Sequence, residues 1–139
     1  MIAYFDTSAF IPLVIEEPGS EAAGRLWDEA DHLVSVRLIY AEARAALAQA
    51  QRMRRVAARQ LPRLAEDVDT LYSQLDHLEV DETLARRAGE LAQEFGLCGY
   101  DAIHLAGAER LHDPELVLVA GDDPLLDAAT ELGLAVART

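Results

Sequence analysis

Ile2-Ala3-Tyr4-Phe5-Asp6-Thr7-Ser8-Ala9 stands at the start of the chain. Four apolar residues in a row, closed by residues that favour helix N-caps, read as a buried strand that turns directly into a helix. A short strand apolar on both faces fits a parallel sheet, where helices cover both sides. The remaining sequence repeats this alternation. Pro18, Gly19 and Ser20 break one short helix and start another through Leu26 and Trp27. Residues 32–36 alternate and β-branch as a second strand. Alanines and leucines then make a helix from residue 37 to about residue 50, and Met53, Ala57, Leu61, Leu64, Val68, Leu71 and Leu75 continue an amphipathic helical stripe, kinked or broken near Pro62. Residues 78–80 read as a third strand. Asp81 caps a helix whose face is Leu84, Ala88, Leu91, Ala92 and Phe95, and Gly96 ends it. Another helix begins at Gly99-Tyr100-Asp101 and runs to about Arg110, residues 116–120 form a continuous apolar strand, Pro124 suits the first turn of a further helix, and residues 134–137 supply the last strand. Strands alternating with helices predict a three-layer α/β/α sandwich with a mostly parallel central sheet. One domain over residues 1–139 is the expectation.

No uncharged apolar run is long enough to span a membrane, and Asp6 interrupts the apolar start where a signal peptide would continue, so a cytoplasmic protein with no membrane partner is expected. Cys98 is the one cysteine, which excludes an internal disulfide and a Cys-rich zinc site; a small buried or half-buried apolar role is expected for it. The net charge of -13 argues against nucleic acid at first sight. The average hides an asymmetry. Residues 37–63 hold seven of the twelve basic residues, all of them arginine, against the single acid Glu42. Guanidinium grips phosphate through a bidentate fork, so Arg52, Arg55 and Arg59 are candidate substrate contacts. A solvated helix face, or a face for a protein partner, accounts for the stripe equally well.

Ligands of open parallel sheets bind beyond the carboxyl ends of the strands. Asp6 follows the first strand and Asp122 the fourth, each directly before a helix, where a plain N-cap would explain either one alone. Glu42 has Leu38, Ala45 and Ala46 as its helical neighbours and so sits beside apolar surface, to be paired, desolvated or metal-bound. Asp101 shares a helix side with Leu97, His104, Leu105 and Ala108. His104 reads as packed or hydrogen-bonded rather than as a ligand. Four clustered acids repel one another unless a cation compensates them. Hard oxygen donors without a His or Cys cluster select Mg2+ or Mn2+, and the chemistry that follows is phosphodiester hydrolysis by an activated water.

These segments resemble a known family. Tyr4-Phe5-Asp6-Thr7-Ser8-Ala9 looks like the first motif of PIN-domain ribonucleases of the VapC toxin type. Tyr40-Ala41-Glu42-Ala43-Arg44-Ala45-Ala46-Leu47 is similar to that family's helix bearing a single glutamate. Gly99-Tyr100-Asp101-Ala102-Ile103-His104-Leu105-Ala106 is its most specific segment, and Val119-Ala120-Gly121-Asp122-Asp123-Pro124-Leu125-Leu126 resembles its last motif. The order and spacing of the four strings span nearly the whole chain. The family often carries Thr or Ser two residues before the last acid, where this chain has Ala120. The resemblance implies that Asp6 and Asp101 ligate Mg2+ most directly while Glu42 and Asp122 complete the pocket. It also implies an RNA substrate, a homodimer, and an antitoxin protein that blocks the acidic groove.

Two other classes are weighed against this one. A haloacid-dehalogenase-like phosphatase needs an Asp-x-Asp nucleophile and a lysine; residues 6–8 read Asp-Thr-Ser and the chain has no lysine. A non-catalytic module with a degenerate site would lack one or more of the carboxylates, whereas a non-toxin RNA-binding or processing module would keep them and stands as the alternative. All four are present.

Overall fold

In the computed structural model, which describes residues 1–139, β1 (Ile2–Phe5) runs into α1 (Thr7–Phe10), a 3-10 turn (Ile11–Leu13), α2 (Ser20–Glu29), β2 (His32–Val36) and α3 (Ile39–Arg52). A second 3-10 turn (Ala58–Gln60) leads into α4 (Leu61–Ser73), β3 (Asp76–Leu78), α5 (Glu82–Phe95), α6 (Gly99–Leu111), β4 (Leu116–Ala120), α7 (Asp123–Glu131) and β5 (Ala135–Arg138). The five strands form one sheet in the order β3-β2-β1-β4-β5, with every neighbouring pair parallel. The period-2 alternation of β1 divides the core. Tyr4 packs with Val34, Val36, Leu84, Leu91, Leu105, Leu118 and Leu125 on the face covered by α5, α6 and α7. Ala3 and Phe5 pack with Phe10, Trp27, Ile39, Leu47 and Val68 on the face covered by α1 to α4. This is the expected three-layer α/β/α sandwich.

From β1 the chain builds outward through β2 and β3, then crosses to β4 and β5 on the other side. The order therefore reverses between β1 and β4, whose register pairs Phe5 with Val119. At such a switch point the crossing helices diverge and leave a crevice beyond the strand ends. Asp6 and Asp122 follow the two strands concerned.

Four expectations are corrected. The stripe from Met53 to Leu75 is not one helix: Met53 is 62% exposed, Arg54 turns the chain at a φ of 59°, and Pro62 stands in the first turn of α4. Proline cannot continue a helix but suits its start, so apolar spacing ran unbroken through a real turn. The third strand is Asp76–Leu78, two residues earlier than its apolar content suggests. It lies at the sheet edge, where Asp76 faces solvent and apolar residues no longer mark the pairing. The last strand, at the other edge, is Ala135–Arg138. Cys98 is exposed, because it occupies the N-cap of α6 at the surface.

Candidate active site at the carboxyl edge of the sheet

Asp6 is the anchor of the site. Its Oδ1 accepts the Ala9 N–H at 3.1 Å, capping α1, and the Ser8 hydroxyl reaches both carboxylate oxygens at 2.8 and 3.0 Å. The residue is only 2% exposed. Burial is the largest influence on its carboxyl and raises it to about 6, against the opposing hydrogen bonds of Ser8 and the backbone donors. Ser8 Oγ also accepts the Gly121 N–H at 2.8 Å, which ties the end of β1 to the end of β4.

Asp122 caps α7, accepting the Leu125 N–H at 3.3 Å. Asp123 turns away and pairs with Arg138 on the surface. Glu42 stands in the first turn of α3, where its Oε1 lies 2.8 Å from Nε2 of the buried His104. Asp101 stands in the first turn of α6. Partial burial raises its carboxyl first of all, and the charges of Asp122 and Glu42 raise it further, while a hydrogen bond from Cys98 opposes them. Asp101 therefore lies within electrostatic reach of both Asp122 and Glu42.

No three His, Cys, Asp or Glu side chains stand close enough together to form a ready metal cage. Three of the four acids are held by their own donors: Asp6 by Ser8 and Ala9, Glu42 by His104, Asp122 by Leu125. Two hollows flank them. One of about 320 Å³ is lined by Ser8, Ile11, Glu17, Gly121 and Thr139 among others, and one of about 330 Å³ by Leu38, Ala41, Glu42, Ala45 and Tyr100.

The arginines stand outside this centre. Arg52 lies ten residues beyond Glu42 on α3, which places it about 15 Å further along the helix axis. Arg55 pairs with Glu17 on the wall of the first hollow, and Arg59 is exposed without an ion pair. Sequence reasoning did not assign roles to Tyr4, Thr7 or the bridging hydroxyl of Ser8. A usable signal for the last is a hydroxyl two residues after an N-capping aspartate, placed to donate back to it.

A doubly covered parallel sheet with Asp6 and Asp122 at its switch point defines the class: an α/β protein with acidic residues at the carboxyl edge. The PIN domain family model matches residues 3–130, and the chain belongs to that family. A protein called Ribonuclease VapC45 from Mycobacterium tuberculosis is 39% identical over 136 residues, covering 98% of this chain and 94% of its own. The crystal structure of M. tuberculosis VapC20, described as a sarcin-ricin loop cleaving toxin, covers 99% of both chains with a TM-score of 0.73 and 19% identity. A toxin-antitoxin complex from Klebsiella pneumoniae covers 86% of both chains with a TM-score of 0.62 and 23% identity. At those identities the two structures speak for the fold. No helix is long and apolar enough to cross a membrane.

Proposed function

We propose that this protein is a metal-dependent endoribonuclease that hydrolyses RNA phosphodiester bonds with Mg2+ or Mn2+, and that it is the toxin of a toxin–antitoxin pair. The observation that carries the reading is the PIN family match, with Asp6 and Asp122 following the two strands at the switch point and Asp101 within electrostatic reach of Glu42 and Asp122. The 39% identity to a chain named as a ribonuclease supports the substrate class. The likeness to a toxin-antitoxin complex supports an antitoxin partner. A homodimer is part of the same reading.

The donor set fits a hard divalent cation. All four candidates are carboxylates, and the charges of Asp122 and Glu42 add to the burial that raises Asp101. Magnesium keeps several waters and takes only one or two carboxylates directly, which agrees with the lack of a closed cage. Asp6 and Asp101 would hold the ion, with Glu42 and Asp122 completing the pocket. When bound, such a cation supplies Lewis acidity toward water and positive charge against the phosphorane that develops.

The chain's own residues do the rest. Ser8 and the Ala9 N–H fix the orientation of the Asp6 carboxylate, and Glu42 and Asp122 present acceptors that can orient a water or take its proton. Purified protein incubated with total RNA should cleave it in Mg2+ or Mn2+ and stop in EDTA. Cleavage that persists in EDTA overturns the metal mechanism, and no cleavage with either ion overturns the ribonuclease.

A further inference from the structure

One buried polar network continues behind the site just described. His104 is 1% exposed, and its two ring nitrogens have different partners. Nδ1 lies 3.2 Å from the hydroxyl of Tyr4, a fully buried residue of β1, with the rings edge-on at 5.9 Å. Nε2 lies 2.8 Å from Glu42 Oε1, with Thr7 Oγ1 at 3.3 Å from the same nitrogen. The Glu42 carboxylate has no hydrogen to give, so Nε2 carries the ring hydrogen and donates it. A ring with its hydrogen on Nε2 leaves Nδ1 as the acceptor of the Tyr4 hydroxyl hydrogen. Glu42 then receives a donor from the protein interior.

We propose that Tyr4 holds His104 in this tautomer, and that His104 through Nε2–H is the positioning residue that aims the Glu42 carboxylate at the acidic centre. Helix α3 alone leaves a glutamate side chain several rotatable bonds, and a buried donor on a rigid ring removes most of that freedom. Two further features hold the ring in place. Tyr4 is fixed by the central strand, and Gly107, one turn further along α6, passes so close that a Cβ there would stand 2.7 Å from the Tyr4 hydroxyl oxygen. The arrangement has the logic of groups that orient a ligand without touching the ion.

The inference rests on the metal-dependent reading for its consequence and on the hydrogen-bond pattern for its existence, and the two are tested separately. In nitrogen-15 spectra of wild-type protein, His104 should show a protonated Nε2 and an unprotonated Nδ1, with E42Q moving the first resonance and Tyr4→Phe the second. The opposite tautomer, or an Nε2 signal indifferent to E42Q, overturns the proposal whether or not the protein cleaves RNA. For the consequence, the probe is Mn2+ alone, titrated calorimetrically. His104→Leu should weaken Mn2+ binding by about 10-fold to 100-fold, the usual effect of losing an orienting partner. His104→Gln, whose amide reaches the position of Nε2, should stay within about threefold of wild type. Adding His104→Leu to E42Q should weaken Mn2+ no further than E42Q alone. Independent, multiplying losses, or a glutamine variant as damaged as the leucine one, overturn the positioning role. A wild type that binds no Mn2+ and cleaves no RNA removes the proposed function instead. Should the leucine variant fail to fold, the glutamine variant and the nitrogen spectra still decide.

Discussion

Ser8 donates its hydroxyl hydrogen to Asp6 at 2.8 Å while accepting the backbone N–H of Gly121, so one side chain sets the relation between the two strand ends that carry the site. Burial has already raised Asp6 to about 6, and the Ser8 hydrogen bond works against that rise. A raised carboxyl means that the folded state binds more protons than the unfolded one. The stability this group contributes is complete below its ordinary value of 3.8 and is lost as pH rises through about 6. In EDTA, unfolding free energy should fall between pH 4 and 6 by an amount on the order of 3 kcal/mol from Asp6 alone. Ser8→Ala should extend the fall to higher pH and cut RNA cleavage by about 10-fold to 100-fold. Denaturant melts across this range check it; stability that rises with pH there contradicts the raised carboxyl.

Asp101→Asn removes one charge at nearly constant shape. Because Asp122 and Glu42 raise the Asp101 carboxyl along with burial, the substitution should stabilise the metal-free fold at neutral pH. Solvent screens part of the repulsion at this half-buried position, so the gain should be a few tenths to about 1 kcal/mol. The same variant should be inactive, and Mg2+ should raise its Tm less than it raises the parent's. A clear fall in Tm in EDTA would assign Asp101 to helix-dipole stabilisation instead.

Of the neighbouring aspartates, only Asp122 faces the site. Asp122→Asn preserves a side-chain oxygen that can cap α7, so it should keep the fold and lose most activity. Asp123→Asn breaks only the surface pair with Arg138 and should keep nearly full activity. Cleavage rates of the two variants at matched Tm decide the assignment, and equal losses would undo it.

The sequence carried the architecture wherever burial enforced pattern. Residues 2–5 and 116–120 are covered on both faces, so their strands showed as unbroken apolar runs. The edge strands slipped by one or two residues, since Asp76 and Arg138 can face solvent there without penalty. Asp6, Glu42, Asp101 and Asp122 stood out as acids at strand ends or against apolar helix faces. Their local partners did not. The hydrogen bond between Tyr4 and His104 joins residues 100 apart, and nothing in a linear pattern tells a buried tyrosine with a partner from one that only packs.

The arginine stripe offers a separate measurement. Arg52 and Arg59 are exposed without ion pairs, while Arg55 is engaged by Glu17. Replacing Arg52, Arg55 and Arg59 with glutamine should flatten the slope of log affinity against log salt for RNA, since each phosphate no longer neutralised takes a little under one from the slope. An unchanged slope would assign the stripe to a protein partner.

Gly107 gives the sharpest test of packing behind the site. A Cβ at this position would stand 2.7 Å from the Tyr4 hydroxyl oxygen, 3.0 Å from Val36 Cγ1 and 3.2 Å from Tyr4 Cε2. The tyrosine is fully buried and its hydroxyl is held by His104, so neither end of the ring is free to give way. Overpacking of this kind costs about 1 to 3 kcal/mol. Alanine's better helix propensity returns roughly 1 kcal/mol, which leaves Gly107→Ala destabilising or, at the mildest, neutral. Gly89 in α5 is the control, because it is exposed and a Cβ there would meet nothing within 4 Å. Gly89→Ala should therefore stabilise by roughly 0.5 to 1 kcal/mol. Function separates the two further. The group displaced by the added methyl is the hydroxyl that bonds His104, so Gly107→Ala should weaken Mn2+ binding at temperatures where it is fully folded, and Gly89→Ala should leave it unchanged. Equal stabilisation of both variants would mean that α6 can move off the sheet freely, and the close approach would then hold neither Tyr4 nor the histidine behind Glu42.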